Sequence, residues 1–206
     1  MIRAIHRAAL VALLFPCAGA LGQRLVGPSP SGPVPMPQLL DTTGLFNQRY
    51  ARVGDDLFIA GQPTEKGLRL LHDQGVTTIV NLRTPEEMAK IGFDEAALAA
   101  RLGMKYAYVP VRGNAQFPYA PATVDSLTNA MTTARGKVLL HCTVAWRASH
   151  LWAAYLIQVR KLNVDSALAN ARAINLMDDM AMTPGRQPVE DFLNRDLTQL
   201  RRKKSE

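Results

Sequence analysis

Cysteine is almost absent from this chain: Cys17 and Cys142 are the only two in 206 residues. So few cysteines exclude a disulfide-built scaffold. Long apolar runs are missing as well. Arg3, His6 and Arg7 precede an apolar stretch from Ala8 to Phe15, and Ala18-Gly19-Ala20 offers small residues at the cleavage spacing. That stretch is shorter than the ~18 apolar residues a spanning helix needs, so it reads as a secretory signal removed after about Ala20. The expectation is an exported protein, periplasmic or secreted, with no stable membrane span once the signal is gone. Cys17 leaves with the signal, and Cys142 then has no internal partner. Metal-ligand spacing is absent too. The histidines are His6, His72, His141 and His150, with no two at ligand spacing and no second mature cysteine, so no metal site is expected. Aromatics make up 6% of the chain, no basic stripe interleaves with them, and no nucleic-acid partner is expected. Carboxylates are missing from one long stretch: no Asp or Glu lies between Ala96 and Val124.

What remains is organised simply. The net charge is +7, and loss of Arg3 and Arg7 leaves +5 by subtraction. That excess suits an anionic small substrate. Part of it sits in Arg201-Arg202-Lys203-Lys204, and residues 201–206 read as a solvated basic tail. Residues 21–44 contain Gly27-Pro28-Ser29-Pro30-Ser31-Gly32-Pro33-Val34-Pro35-Met36-Pro37, a composition that reads as an extended, disordered tether. One domain over 45–200 follows. Strand signals at Leu57–Ala60, Thr77–Asn81, Lys105–Val109 and Val138–Leu140 alternate with helix signals after Thr64, over 85–102, from Pro121 and from Arg147. Val164–Leu176 and Val189–Leu200 read as further helices. Alternation of this kind predicts a three-layer α/β/α sandwich with a central, mostly parallel sheet. In such sheets ligands bind at the carboxyl ends of the strands.

Cys142 stands at one of those ends. Val138-Leu139-Leu140-His141-Cys142 is an apolar run closing in His-Cys; four residues on comes Arg147, and an apolar pattern at helical spacing begins. A cysteine in that strand-to-helix loop is expected to ionise readily, because unpartnered helix amides and the positive end of the dipole stabilise a thiolate. The same amides, from Thr143, Val144, Ala145 and Trp146, with the Arg147 guanidinium, make a cradle for a tetrahedral oxyanion. A nucleophile under such a cradle is what displacement at phosphorus or at sulfur requires.

His141-Cys142, a four-residue loop, Arg147 and a helix resemble the signature of cysteine-dependent phosphatases of the dual-specificity type. More closely, the chain resembles the bacterial beta-lactamase-hydrolase-like phosphatase-like family. Ile59-Ala60-Gly61-Gln62-Pro63-Thr64 and Gly75-Val76-Thr77-Thr78-Ile79-Val80-Asn81-Leu82-Arg83 are similar to its Gly-Gln-Pro and Asn-Leu-Arg segments. The resemblance covers roughly residues 54–160. It implies a cysteine-phosphatase-like fold, hydrolysis of a phosphoester through a phosphocysteine on Cys142, and no cofactor. The family has Gly where Ala145 stands, so a left-handed backbone there would be strained.

The remaining assignments follow from position. His141 tunes the thiolate or orders the loop through hydrogen bonds. Arg83, at a strand end, is a second anion ligand or an ion-pair partner of Glu86 or Glu87. The general acid that would protonate a leaving alkoxide has no candidate between Ala96 and Val124, and Glu86, Glu87 or Asp94 would have to reach in from an earlier loop. Two alternatives therefore stay open beside the phosphatase. One is a rhodanese-like sulfurtransferase carrying a persulfide on Cys142, for which the substrate is a sulfur donor. The other is an anion-binding pseudo-phosphatase that does not turn over.

Overall fold

The computed structural model describes residues 32–177 and 186–202. The expected signal (1–20), the first part of the expected tether (21–31) and the end of the basic tail (203–206) lie outside the described residues.

Six strands make one sheet: β1 (Gln38–Leu39), β2 (Tyr50–Val53), β3 (Leu57–Ala60), β4 (Val76–Asn81), β5 (Lys105–Tyr108) and β6 (Lys137–His141). The helices are α1 (Glu65–Asp73), α2 (Pro85–Met88), α3 (Glu95–Arg101), α4 (Pro121–Thr133), α5 (Trp146–Gln158), α6 (Val164–Arg172), α7 (Pro188–Leu193) and α8 (Leu197–Arg202). The spatial order is β1-β2-β3-β6-β4-β5, with β3, β6, β4 and β5 parallel and β1 and β2 antiparallel at one edge.

Every residue of β3 is buried, and so is all of β6 beyond Lys137. Such unbroken apolar runs belong to strands covered on both faces. Because side chains alternate along a strand, Phe58 and Leu139 enter one core with Leu68 and Leu71 of α1 and Leu98 and Ala99 of α3. Ile59, Val138 and Leu140 enter the other, with Leu127 of α4, Leu151 of α5, Leu168 of α6 and Phe192 of α7. The result is the expected three-layer sandwich around a mostly parallel sheet.

The structure corrects several local expectations. The helix expected over 85–102 is two helices, because two start signals lie inside it. Thr84 caps α2 with Pro85 in the first turn, and the Asp94 carboxylate accepts the Ala97 N–H at 2.9 Å to open α3. The carboxyl-terminal pattern splits likewise: α7 stops at Asn194, whose φ of 48° is left-handed, and α8 carries the chain through Arg202, the first residues of the expected tail. The helix after Arg147 is not amphipathic in place. Every residue from Trp146 to Leu156 is buried, since α4, α6 and α7 close around it.

The described part of the tether, 32–44, is not disordered. Gln38 and Leu39 pair with Arg52 and Ala51 as an edge strand. Further back, the Asn170 amide donates to the Pro35 carbonyl at 3.0 Å, while its oxygen accepts the Trp152 indole N–H at 2.8 Å. Proline there is compatible with an edge position, where no ladder donor is needed.

Asn170 is 2% exposed, so Asn170→Ala strands the buried indole N–H of Trp152. We expect a loss of about 1–3 kcal/mol in urea unfolding, accompanied by faster hydrogen exchange in residues 34–39.

Candidate active site

The parallel register sets the site. Ala60, Asn81 and His141 lie side by side as the last residues of β3, β4 and β6. The three segments that follow, Gly61-Gln62-Pro63, Leu82-Arg83-Thr84 and Cys142 to Arg147, therefore leave the sheet at the same end. Gly61 pairs with Val144 across this gap, and the Gln62 N–H donates to the Thr143 carbonyl at 3.0 Å. A β-carbon at Gly61 would lie 1.8 Å from the Asn47 carbonyl oxygen. Only glycine lets the two backbones approach this closely.

Cys142 is a free thiol, 1% exposed, immediately after β6. Ala145 is the residue before α5 and has φ 66° and ψ −1°. The backbone there is left-handed, on a residue with a β-carbon, and this costs about 1–2 kcal/mol. The turn aims the first amides of α5 back into the loop, where they have no intrahelical acceptors. Trp146 opens the helix, and its ring is buried against His150, 4.6 Å between centroids. Its side chain is thus core, and its contribution to the loop is backbone. The Val144 carbonyl accepts from Asn175 Nδ2 at 2.6 Å.

Arg147 is 6% exposed and returns to the loop. Its Nη1 donates to the carbonyls of Leu82 (3.1 Å) and Val111 (2.8 Å). Both terminal nitrogens also grip the carboxylate of Glu87, Nη1 to Oε2 at 2.9 Å and Nη2 to Oε1 at 2.7 Å. Glu87 takes more: the Thr143 hydroxyl at 2.9 Å, Arg112 Nη1 at 3.2 Å and, as the capping-box residue of α2, the Thr84 N–H at 2.8 Å. Burial works against the Glu87 charge, but the hydrogen bonds from Arg147, Thr84 and Thr143 outweigh it and hold the carboxyl at about 2. Arg147 in turn is held above its ordinary range, because the charges of Cys142 and Glu87 overcome its own burial.

His141 turns away from the loop. Residues 141 and 142 are neighbours on a strand end, so their side chains point to opposite sides. The His141 Nε2 meets Glu95 Oε1 at 2.9 Å, both side chains being fully buried. Glu95 also accepts from Tyr106 Oη at 3.1 Å, Asn81 Nδ2 at 3.3 Å and Gln62 Nε2. Burial raises its pKa, and the field and hydrogen bonds of His141, Gln62 and Tyr106 bring it below the usual range instead. Of the two readings of His141, the hydrogen-bonded ordering is the one with geometry behind it: His141, Glu95 and Gln62 reach the loop at Thr143.

Arg83 is not an ion-pair partner of Glu86 or Glu87. Its Nη2 donates to the Glu87 main-chain carbonyl at 2.7 Å and its Nη1 to Gln62 Oε1 at 2.5 Å. Every residue singled out from the sequence, Cys142, Arg147, His141, Thr143, Val144, Ala145, Trp146 and Arg83, therefore sits at this end of the sheet. Glu95, Gln62 and the carboxylate role of Glu87 were not foreseen. The Thr84-Pro85-Glu86-Glu87 capping signal was the clue for the last of these. In the loop between β5 and α4, Tyr119 is buried, its hydroxyl has no partner among the described residues, and burial pushes its pKa up to about 12. No group of three or more His, Cys, Asp or Glu side chains among the described residues could hold a metal ion.

Two outcomes follow. Glu87 is ionised more easily folded than unfolded, so its contribution is fully present above about pH 4.5 and is lost as pH falls towards 2. That contribution is of the order of 3 kcal/mol. Glu87→Gln flattens the acid limb of a stability-versus-pH curve between about pH 5 and 2. It also costs about 3–5 kcal/mol at pH 7, because it leaves buried Arg147 without its counter-charge. Ala145→Gly relieves the left-handed strain but removes a buried methyl (~0.8 kcal/mol) and adds backbone entropy to the unfolded chain (~0.5–1 kcal/mol). Its melting temperature should stay within a few degrees of the parent.

The family model described as "Beta-lactamase hydrolase-like protein, phosphatase-like domain" matches residues 50–158. A beta-lactamase hydrolase-like protein of Xylella fastidiosa is 35% identical over 107 residues, 51% of this chain and 24% of that one. The matched region thus spans about a quarter of that curated relative. Among solved structures, a candidate phosphatase (DUF442) from Shewanella putrefaciens is 27% identical with a TM-score of 0.55, covering 81% of this chain and 98% of that one. A cysteine-to-serine form of TpbA from P. aeruginosa, in complex with pTyr, is 20% identical with a TM-score of 0.55, over 82% of this chain and 96% of that one. The latter likeness is one of fold.

Proposed function

The chain belongs to the family of beta-lactamase hydrolase-like phosphatase-like domains, and from that premise we propose that it hydrolyses phosphoesters through a phosphocysteine intermediate on Cys142. The observation that supports this most is the joint placing of a free cysteine and a buried arginine around a turn that opens a helix. The Cys142 thiolate attacks phosphorus, the bond to the leaving oxygen breaks, and the phosphoryl group is carried on sulfur. Water then attacks phosphorus, the sulfur–phosphorus bond breaks, and phosphate and the thiolate are regenerated. Arg147 and the loop amides of Thr143 to Trp146 stabilise the charge on the non-bridging oxygens. His141 acts through Glu95 and Gln62 to fix the loop.

Proton supply limits this chemistry. Glu87, held at about 2, and Glu95, held ionised by His141, have no proton to give at neutral pH. The leaving group then departs unaided, which suits aryl phosphates. The same lack of an acid favours a second reading, sulfur transfer through a persulfide on Cys142, since that step needs no proton donor.

The test is release of phosphate by the protein from aryl and alkyl monoesters. Aryl phosphate is expected to turn over, and an alkyl ester of equal size to react about 10²–10⁴-fold more slowly, the factor a general acid supplies. Cys142→Ser abolishes turnover, and Arg147→Lys, which keeps a charge for Glu87, lowers it about 10²-fold or more. No turnover of any aryl phosphate sinks the phosphatase reading. A mass gain of one sulfur atom on Cys142 after exposure to a sulfur donor then supports the persulfide.

A further inference from the structure

A cleft of about 670 Å³ opens beside the Cys142 loop, with Thr143 and Arg83 in its wall. That volume exceeds what one phosphate fills and falls in the range of sites for whole organic ligands. Phe46, Pro63, Ile91 and Phe93 supply apolar surface. Arg83 supplies charge, and its charge is unlike that of Arg147. Arg147 is met by a carboxylate, whereas Arg83, only 6% exposed, is in no ion pair among the described residues. Its terminal nitrogens end on an amide oxygen and a peptide carbonyl, and its Nε has no partner among the described residues. Its direct contacts are neutral dipoles, and the carboxylates of Glu87 and Glu95 act on it only through space, so this buried cation is incompletely compensated. Guanidinium geometry matches phosphate or carboxylate oxygens. The amino end of α1, a nine-residue helix, reaches the same cleft at Thr64 and Glu65 and adds the positive end of its dipole. The Glu65 carboxylate is engaged by Arg69 at 3.1 Å.

We infer that this cleft is the subsite for a second anionic group, phosphate or carboxylate, on a substrate whose first phosphate occupies the Cys142 loop. Arg83 takes the second anion, and the apolar wall takes the organic body between the two. The inference rests on the phosphoester reading for the first anion only.

Gly92 lines the cleft, and a β-carbon there meets nothing within 4 Å, so charge can be placed on the wall without disturbing the fold. The test uses the Cys142→Ser protein and calorimetric binding of phenyl phosphate and of a benzene ring bearing two phosphates. The second probe is expected to bind about tenfold or more tightly. Gly92→Asp narrows that ratio, Gly92→Lys widens it, and Arg83→Met removes it. Charge reversal at exposed Arg135, on the turn before β6, leaves the ratio unchanged because the distance is screened. A ratio of no more than the statistical twofold, or one indifferent to both Gly92 variants, overturns the subsite. The Gly92 pair decides the matter even if Arg83→Met fails to fold. Absence of aryl phosphate turnover in the parent, with the ratio and its Gly92 dependence intact, overturns the phosphatase reading and leaves the second-anion site standing. Failure of both probes to bind overturns both readings.

Discussion

A carboxylate that accepts five hydrogen bonds holds the loop end of this molecule together. Glu87 joins α2, through the Thr84 amide, to the Thr143 hydroxyl, to both nitrogens of the Arg147 fork and to Arg112. Arg147 extends the connection to the carbonyls of Leu82 and Val111. Removing the Glu87 charge would leave Arg147 buried and without its counter-charge, which is far more costly than the pair is stabilising. The pair is therefore best understood as a device for conformation. It fixes where the loop ends, where α5 begins, and how the segments after β4 and β5 lie against them.

Much of this end of the molecule was legible in the sequence, for a definite reason. Gly61, Arg83 and Cys142 each follow an apolar strand with a local stop signal, and in-register parallel strands bring such positions together. The left-handed angle at Ala145 was hinted at only by the resemblance, since the family has Gly at that position. Partnerships across the chain were not legible. Glu87 and Arg147 are 60 residues apart and Glu95 and His141 are 46 apart, and no local pattern couples them. The burial of α5 on every side was hidden for the same reason, since three other helices supply its surroundings. β1 and β2 escaped notice because two- and four-residue strands carry too little periodicity to read.

The two acids, half-buried Glu87 and buried Glu95, serve two linked circuits. Glu87 serves the arginine side of the loop, and Glu95 serves the histidine side, with Gln62 as the shared link: its side chain reaches both Glu95 and Arg83 while its main chain holds Thr143. Both carboxylates are consumed in keeping cations and amides in place. The loop is tied at several points as a result, and the protonated groups nearby are hydroxyls such as that of Tyr119 rather than carboxylic acids.

The edge strand and the proline segment before it fix an orientation as well as a surface. Gly32 is bonded through its carbonyl to Arg160, beyond the carboxyl end of α5, and lies with Asp56 and Leu57 at the start of β3. Cys142 is at the opposite end of both elements. Whatever precedes residue 32 therefore joins the domain on the side remote from the cysteine, with the length of the sheet between them. A surface, a neighbouring domain or a solid support that meets the domain at residue 32 would stand across the length of the sheet from the Cys142 loop.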